Sequence, residues 1–392
     1  MDRLRCYACG ATTSESDRYR CSCGEPLWLD TDPTGFEWPA DTDRSMWRYS
    51  ALLPAVTPTG LAASAGGTPL VRTDRLDGDV GATVSVKYEG SNPTGTFKDR
   101  GSAVGVAMAK TGTVATVSHG NMARSMAAHA ASAGLDCLVF VPADVPQERL
   151  SLLARYDPTI LRIEGEYGRL YEASLRLGRA HDIAVVNSDA PARVAGQKTT
   201  GLEILAAFAP SVPDAIVLPV SSGGHASGIW KGIEELFAAG VVTERPRLYF
   251  VQAAACAPIA AAWDRGETTV APVDGGETVA YSIANADPPS GNRVLAAARR
   301  TSGGVLAVDD DAILDARRTL SERTGLFVES ACATALAGAR ALGRQRAFEP
   351  DDEVVLVATG TGFTERDLAT PSVSAPTVPL ADLDDAVAAR TD

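Results

Sequence analysis

The stretch Ser91-Asn92-Pro93-Thr94-Gly95-Thr96-Phe97-Lys98-Asp99-Arg100-Gly101 sets a lysine just past a turn. Asn92-Pro93-Thr94-Gly95 supplies the turn: Pro presets its own φ, Asn bonds neighbouring backbone, and Gly accepts left-handed geometry. Lys98 then opens a predicted helix with Asp99 and Arg100 in its first turns. An amine at a helix N-terminus, partly removed from water, loses its proton more readily and can attack an aldehyde. The chain has 5 Lys against 31 Arg, which argues against surface decoration at this position. The competing reading is a solvated Lys98 paired with Asp99.

Around this stretch, short β-rich runs alternate with Ala-rich helical ones. Strands are predicted at 83–88, 113–118, 137–141, 159–163, 184–187, 215–219, 248–253, 305–308 and 353–358. Helices are predicted at 103–110, 124–132, 171–180 and 201–208. Such alternation builds βαβ units and mainly parallel sheets, so the fold class is α/β. Ligands of such sheets lie at the carboxyl ends of the strands, which makes the loops there the candidate sites.

Three further loops follow strands. Ser118-His119-Gly120-Asn121 precedes a helix and offers donors for a carboxylate or a phenolate oxygen. Ser221-Ser222-Gly223-Gly224-His225 opens the helix containing Trp230, and consecutive amides at a helix start cradle a phosphate without a cation. Ala358-Thr359-Gly360-Thr361-Gly362 brings a hydroxyl that can meet a ring nitrogen as a neutral partner. His119 and His225 lie within loops where acid–base work is possible, whereas His129 sits on a helix face with Met126 and Ala133.

Four of the seven Cys fall in the first 23 residues, as Cys6-x-x-Cys9 and Cys21-x-Cys23, each pair ending in Gly. This clustering points to a metal, with zinc as the expected ion, before disulfides. The alternative is a metal-free ribbon folded by packing of Tyr7, Tyr19 and Trp28. Cys137, Cys256 and Cys332 read as small core residues.

With 392 residues, 45% hydrophobic and 22% charged, the chain has the makings of a large core and two or three domains. Its net charge of −13 disfavours nucleic acid, which requires a basic footprint, and an acidic, halophile-like balance of 30 Asp and 19 Glu suits high salt. No run reaches the roughly 18 to 20 apolar residues of a membrane span, and Met1-Asp2-Arg3-Leu4-Arg5-Cys6 lacks the apolar core of a signal peptide. A cytoplasmic enzyme is the expectation.

The four loops, in this order and spacing, resemble the fold-type II pyridoxal-phosphate enzymes, the threonine synthases most closely. The resemblance covers residues 1 to about 365 and implies two three-layer αβα domains behind a small zinc-ribbon-like segment. It implies Lys98 as the Schiff-base lysine and proton shuttle and Asn121 as partner of the phenolic oxygen. Ser222, Gly223, Gly224 and His225 would hold the cofactor phosphate, and Thr359 would face the pyridine nitrogen. In Asn187 to Thr199, Arg193 falls where the family holds a substrate phosphate, while Ser118 and His119 would meet the substrate. Cys6, Cys9, Cys21 and Cys23 match a family ribbon, although Cys21-x-Cys23 is one residue short of its usual spacing. His119, Met122, Arg124, Thr361, Phe363, Ser221 and His225 depart from the usual residues of the loops.

The expected domains are the ribbon, 1–30; a connector with the first part of the later domain, 31–80; the lysine and asparagine-loop domain, 81–200; the phosphate-loop domain, 201–366; and an acidic, Pro/Ala-rich tail, 367–392. The resemblance implies a homodimeric lyase that makes L-threonine and phosphate from O-phospho-L-homoserine and water. A paralogue performing β-replacement or β-elimination on O-phosphoserine or serine is the alternative, such as a cysteate or cysteine synthase or a dehydratase. A ribbon-bearing binding protein without catalysis is the reading of another class.

Overall fold

The computed structural model describes residues 3–15, 18–40, 44–118, 120–145, 147–165, 167–365 and 375–391. Two sheets carry the body. The larger has six strands in the order Gly304–Val308, Arg247–Ala253, Ala215–Pro219, Glu353–Ala358, Thr83–Tyr88 and Leu70–Arg72. All neighbours are parallel except the last pair. The smaller has four parallel strands, Thr159–Ile163, Asp136–Pro142, Thr113–Val117 and Ala184–Val185.

Both sheets are covered on two faces, as strands of nearly continuous apolar residues require. In the large sheet, Val84, Val86, Val217, Val251, Val354 and Leu356 pack toward Leu336 and its neighbours on the helix Ser330–Arg344. The alternate residues Ile216, Leu218, Phe250, Val355 and Val357 pack toward Leu202 and Ile229 of the helices Thr199–Phe208 and Gly224–Ala238. Each fully buried aliphatic side chain of this kind contributes roughly 1.5–3 kcal/mol. In the small sheet, Val114 and Val139 meet Met126 of the helix Asn121–Ala133, while Ala115, Val117 and Phe140 meet Leu170 of Tyr167–His181. The expected αβα layering is present twice.

The boundary expected at residue 81 does not follow the sheets. Thr83–Tyr88 belongs to the large sheet, paired with Glu353–Ala358, and the chain enters the small sheet only afterwards. Alternation of strands and helices gives their sequence but not their neighbours, so the lysine motif suggested a domain start where there is a shared strand.

At the front, Leu4–Cys6 pairs antiparallel with Thr12–Thr13 and Leu27–Leu29. This ribbon is seated on the body through Trp28, whose Nε1 donates to Ser227 Oγ at 2.8 Å, and through Tyr19, whose hydroxyl donates to Val185 O at 2.5 Å. Much of the tail, 366–374, lies outside the described residues; beyond it, an exposed helix, Leu383–Thr391, stands where only a loose tail was expected. Among the described residues, no helix is long and apolar enough to cross a membrane.

Candidate active site

Three adjacent strands of the large sheet, Ala215–Pro219, Glu353–Ala358 and Thr83–Tyr88, end side by side. The loops that follow them therefore share one edge. The lysine loop and the Thr359 loop are laced together: Phe97 N donates to Thr359 O at 3.0 Å, and Thr361 N donates to Gly95 O at 2.9 Å. The His225 ring stacks on the Phe97 ring with centroids 4.0 Å apart, bringing the third loop against the first. Asn121 crosses from the small sheet to reach Glu329 beside the Thr359 loop.

Lys98 begins the helix Lys98–Met108 and is half-buried, its Nζ 4.3 Å from the Phe97 ring centroid. Among the described residues, the amine has no hydrogen-bond or ion-pair partner. Burial, with a smaller push from Arg193, lowers its pKa to about 7, while Glu329 pulls the other way. The alternative pairing with Asp99 is not seen. Asp99 accepts from Thr94 N and Thr94 Oγ1 at 2.6 Å each and from Ser125 Oγ at 2.5 Å.

Arg100, fully buried, fastens this helix to the body. It contacts Glu89 at 2.7 Å and Glu203 at 2.6 Å, and Lys87 contacts Glu203 at 2.6 Å. Two cations thus meet two carboxylates with no water-facing side. Burial opposes ionisation of Glu203, but Arg100 and Lys87 overcome it and hold the carboxyl well below the usual range.

Ser222 to His225 lead into the 15-residue helix Gly224–Ala238, whose first amides have no partner within the helix. Gly223 has φ +85°, and a Cβ there would stand 2.7 Å from Ser290 O; one on Gly224 would stand 2.3 Å from Ser188 O. Only glycine leaves this cradle open. The buried Ser290 Oγ, on the residue facing Gly223, has no partner among the described residues. Burial holds His225 neutral, well below the usual histidine range, with Nε2 3.0 Å from Thr200 Oγ1. Acid–base work is a poor fit for this ring. His129 is buried, with Nδ1 2.8 Å from Ser125 O, as a core histidine would be.

Thr359 Oγ1 lies 3.0 Å from Cys332 Sγ, which also accepts from Gly360 N at 3.0 Å. Burial pushes the Cys332 thiol well up, so the pair offers neutral polar groups. Cys332, expected as plain core, belongs to the wall of the site. Asn121 Nδ2 donates to both oxygens of Glu329, at 2.7 and 2.9 Å. The only sequence signal for Glu329 was a lone carboxylate between Phe327-Val328 and an Ala-rich helix.

The substrate expectations fare unevenly. Ser118 is half-buried in its loop and accepts from Gly120 N at 3.2 Å, while His119 lies outside the described residues. Arg193 is fully buried behind the lysine helix, donating to Lys98 O at 3.3 Å, Ser102 Oγ at 3.3 Å and Val186 O at 3.2 Å. Its terminal nitrogens reach these protein acceptors, while its Nε has no partner among the described residues. Arg124 is buried too; among the described residues it donates to Thr94 O at 3.0 Å, and its Nε also has no partner. The sulfur atoms of Cys6, Cys9, Cys21 and Cys23 all lie within 4.8 Å of one another, a compact four-thiol cluster.

A desolvated amine, a glycine cradle at a helix start and a neutral hydroxyl on one edge, met by the Asn121 amide from the small sheet, suit a phosphorylated aromatic aldehyde. Residues 61–360 match the family described as pyridoxal-phosphate dependent enzymes, and the chain belongs to it. Its cofactor is pyridoxal phosphate. A threonine synthase of Methanosarcina acetivorans is 34% identical over 98% of this chain and 97% of that relative. The threonine synthase of Methanocaldococcus jannaschii is 32% identical over 93% of each chain. Among solved structures, a threonine deaminase from T.th. superposes with a TM-score of 0.63 at 26% identity, covering 77% of this chain and 94% of that one. Maize serine racemase gives 0.64 at 20% identity, over 83% of this chain and 92% of that one, and so shares the fold.

Proposed function

We propose that this enzyme is a lyase of threonine-synthase type, converting O-phospho-L-homoserine and water to L-threonine and phosphate. The observation that carries the reading is the convergence of Lys98, the Gly223–Gly224 cradle and Thr359 on one sheet edge, with Asn121 reaching them from the other sheet, in a chain similar to threonine synthases over nearly its whole length.

When bound, the cofactor supplies an electron sink for charge developing at the substrate's Cα. Lys98 would hold it and, once the substrate amine has taken its place, would take protons from Cα and Cβ as phosphate leaves Cγ, and return protons to Cγ and, after water adds at Cβ, to Cα. Ser222, Gly223, Gly224 and His225 fix the cofactor phosphate through their amides. Asn121 holds the ring oxygen, and Thr359 meets the ring nitrogen without charge. Ser118 and His119 orient the substrate carboxylate. Arg193 and Arg124 each leave an Nε without a partner among the described residues, and they would offer guanidinium donors for the substrate phosphate. Cys6, Cys9, Cys21 and Cys23 would hold a structural zinc, their four thiolates filling its tetrahedral positions. The family likeness supports a homodimer.

Purified enzyme loaded with cofactor, given O-phosphohomoserine, should release threonine and phosphate in equal amounts. Turnover of O-phosphoserine or serine, with O-phosphohomoserine untouched, would favour the β-replacement or β-elimination reading and sink this one.

A further inference from the structure

The glycine cradle is shaped by three backbone segments, and the N-terminal ribbon touches each of them. One is the cradle helix itself, which starts at Gly224. The second carries Ser188, whose O presses on Gly224, and the third carries Ser290, whose O presses on Gly223 and whose N donates to Ser222 O at 2.9 Å. From the ribbon, Trp28 Nε1 donates to Ser227 Oγ in the first turn of the helix at 2.8 Å, and Glu25 accepts from Asn292 Nδ2 at 2.7 Å. The fully buried Arg293 donates to the same Ser227 Oγ at 3.0 Å, its guanidinium 5.4 and 5.2 Å from the ring centroids of Tyr7 and Trp28.

Arg20 makes the widest reach. Its Nη2 meets Asp189 Oδ2 at 3.1 Å, next to Ser188, and its Nη1 donates to Pro289 O at 3.1 Å, next to Ser290. One guanidinium thus ties together the two walls against which the cradle glycines lie. Those walls are some 100 residues apart in the chain: one follows the small-sheet strand Ala184–Val185, and the other precedes the helix Gly291–Arg300. Asp189 is 1% exposed, and Tyr171 donates to its other oxygen. Arg20 is fixed in turn by the ribbon, where it bridges to Pro26 and lies between Tyr19, anchored on Val185 O, and Cys21 of the thiol cluster.

We infer that Arg20 is a positioning residue for the cofactor's phosphate, through which the ribbon holds the two walls of the cradle at the spacing the phosphate needs. The inference rests on the reading of Ser222 to His225 as the seat of that phosphate. A cradle of backbone amides grips an anion only while the amides converge on it, and walls tied in advance spare the ordering cost on binding. Arg20 touches neither phosphate nor ring; it acts through Asp189 and Pro289.

The test titrates the full chain, stripped of cofactor, with pyridoxal phosphate and with 5′-deoxypyridoxal, which keeps the aldehyde but lacks the phosphate. The ratio of the two affinities reads the phosphate's share of binding. In Arg20→Ala this ratio should fall about fivefold while the affinity for 5′-deoxypyridoxal stays at the parent's value, the size expected for losing a charged hydrogen bond. Arg20→Lys keeps a cation at Asp189 but has one nitrogen for two walls, so its ratio should fall about twofold; it carries the test if Arg20→Ala does not fold. An unchanged ratio, or equal losses for both aldehydes, overturns the inference, since a ribbon that merely stabilises the fold would weaken both alike. Gly223→Ala separates the two failures. A ratio lowered there but not in the Arg20 variants sinks this inference alone; a ratio unchanged there sinks the reading of the cradle and this inference with it.

Discussion

A lysine with a pKa of about 7 behaves differently from one at the ordinary 10.5, and the sign of the effect is fixed. Its neutral form, the one that attacks an aldehyde, accumulates as pH rises through about 7 and is nearly complete soon after. The rate at which cofactor-free enzyme takes up pyridoxal phosphate, followed by absorbance, should rise through that range and level off. A rate still climbing above about pH 9 would mean an ordinary lysine. Lys98 was legible in the sequence because a turn, a helix start and a scarcity of lysine coincide there. The burial of Arg193 behind the lysine helix was not legible, since a motif position says nothing of where a guanidinium lies. Glu329 escaped notice, and Cys332 read only as core, because their partners, Asn121 and Thr359, come near only through the fold.

At the scale of elements, the phosphate cradle is the most demanding piece of backbone. Gly223 holds φ +85°, and its missing Cβ is what lets Ser290 O come close. Gly223→Ala should weaken cofactor affinity by about tenfold or more, the equivalent of the roughly 1–2 kcal/mol that left-handed geometry costs a side chain, with the contact to Ser290 O adding to it. Cofactor titration of the variant measures this; an unchanged affinity would show that the loop does not grip the cofactor. The strands and helices themselves were readable from short β-rich runs and Ala-rich stretches. The ribbon's glycine turns were readable too: Gly10 and Gly24 have φ of 73° and 91° and donate to Cys6 O and Cys21 O. The exposed helix Leu383–Thr391 was not, because no apolar face marks it.

For the molecule as a whole, the sequence carried the class and the structure carried the arrangement. Parallel αβα layers follow from alternation, but the pairing of Thr83–Tyr88 with Glu353–Ala358 joins segments some 270 residues apart and has no local signature. That pairing places the lysine loop beside the Thr359 loop and so assembles the site. Its central consequence is that one amine out of five lysines carries the cofactor. Borohydride reduction of the cofactor-loaded enzyme, followed by digestion and mass spectrometry, reads this directly. The cofactor's mass should be found fixed to the peptide containing Lys98, and Lys98→Ala should lose both that adduct and the long-wavelength absorbance of the lysine-linked cofactor. An adduct on Lys87, Lys110, Lys198 or Lys231, or a Lys98→Ala protein with unchanged absorbance, would contradict the account.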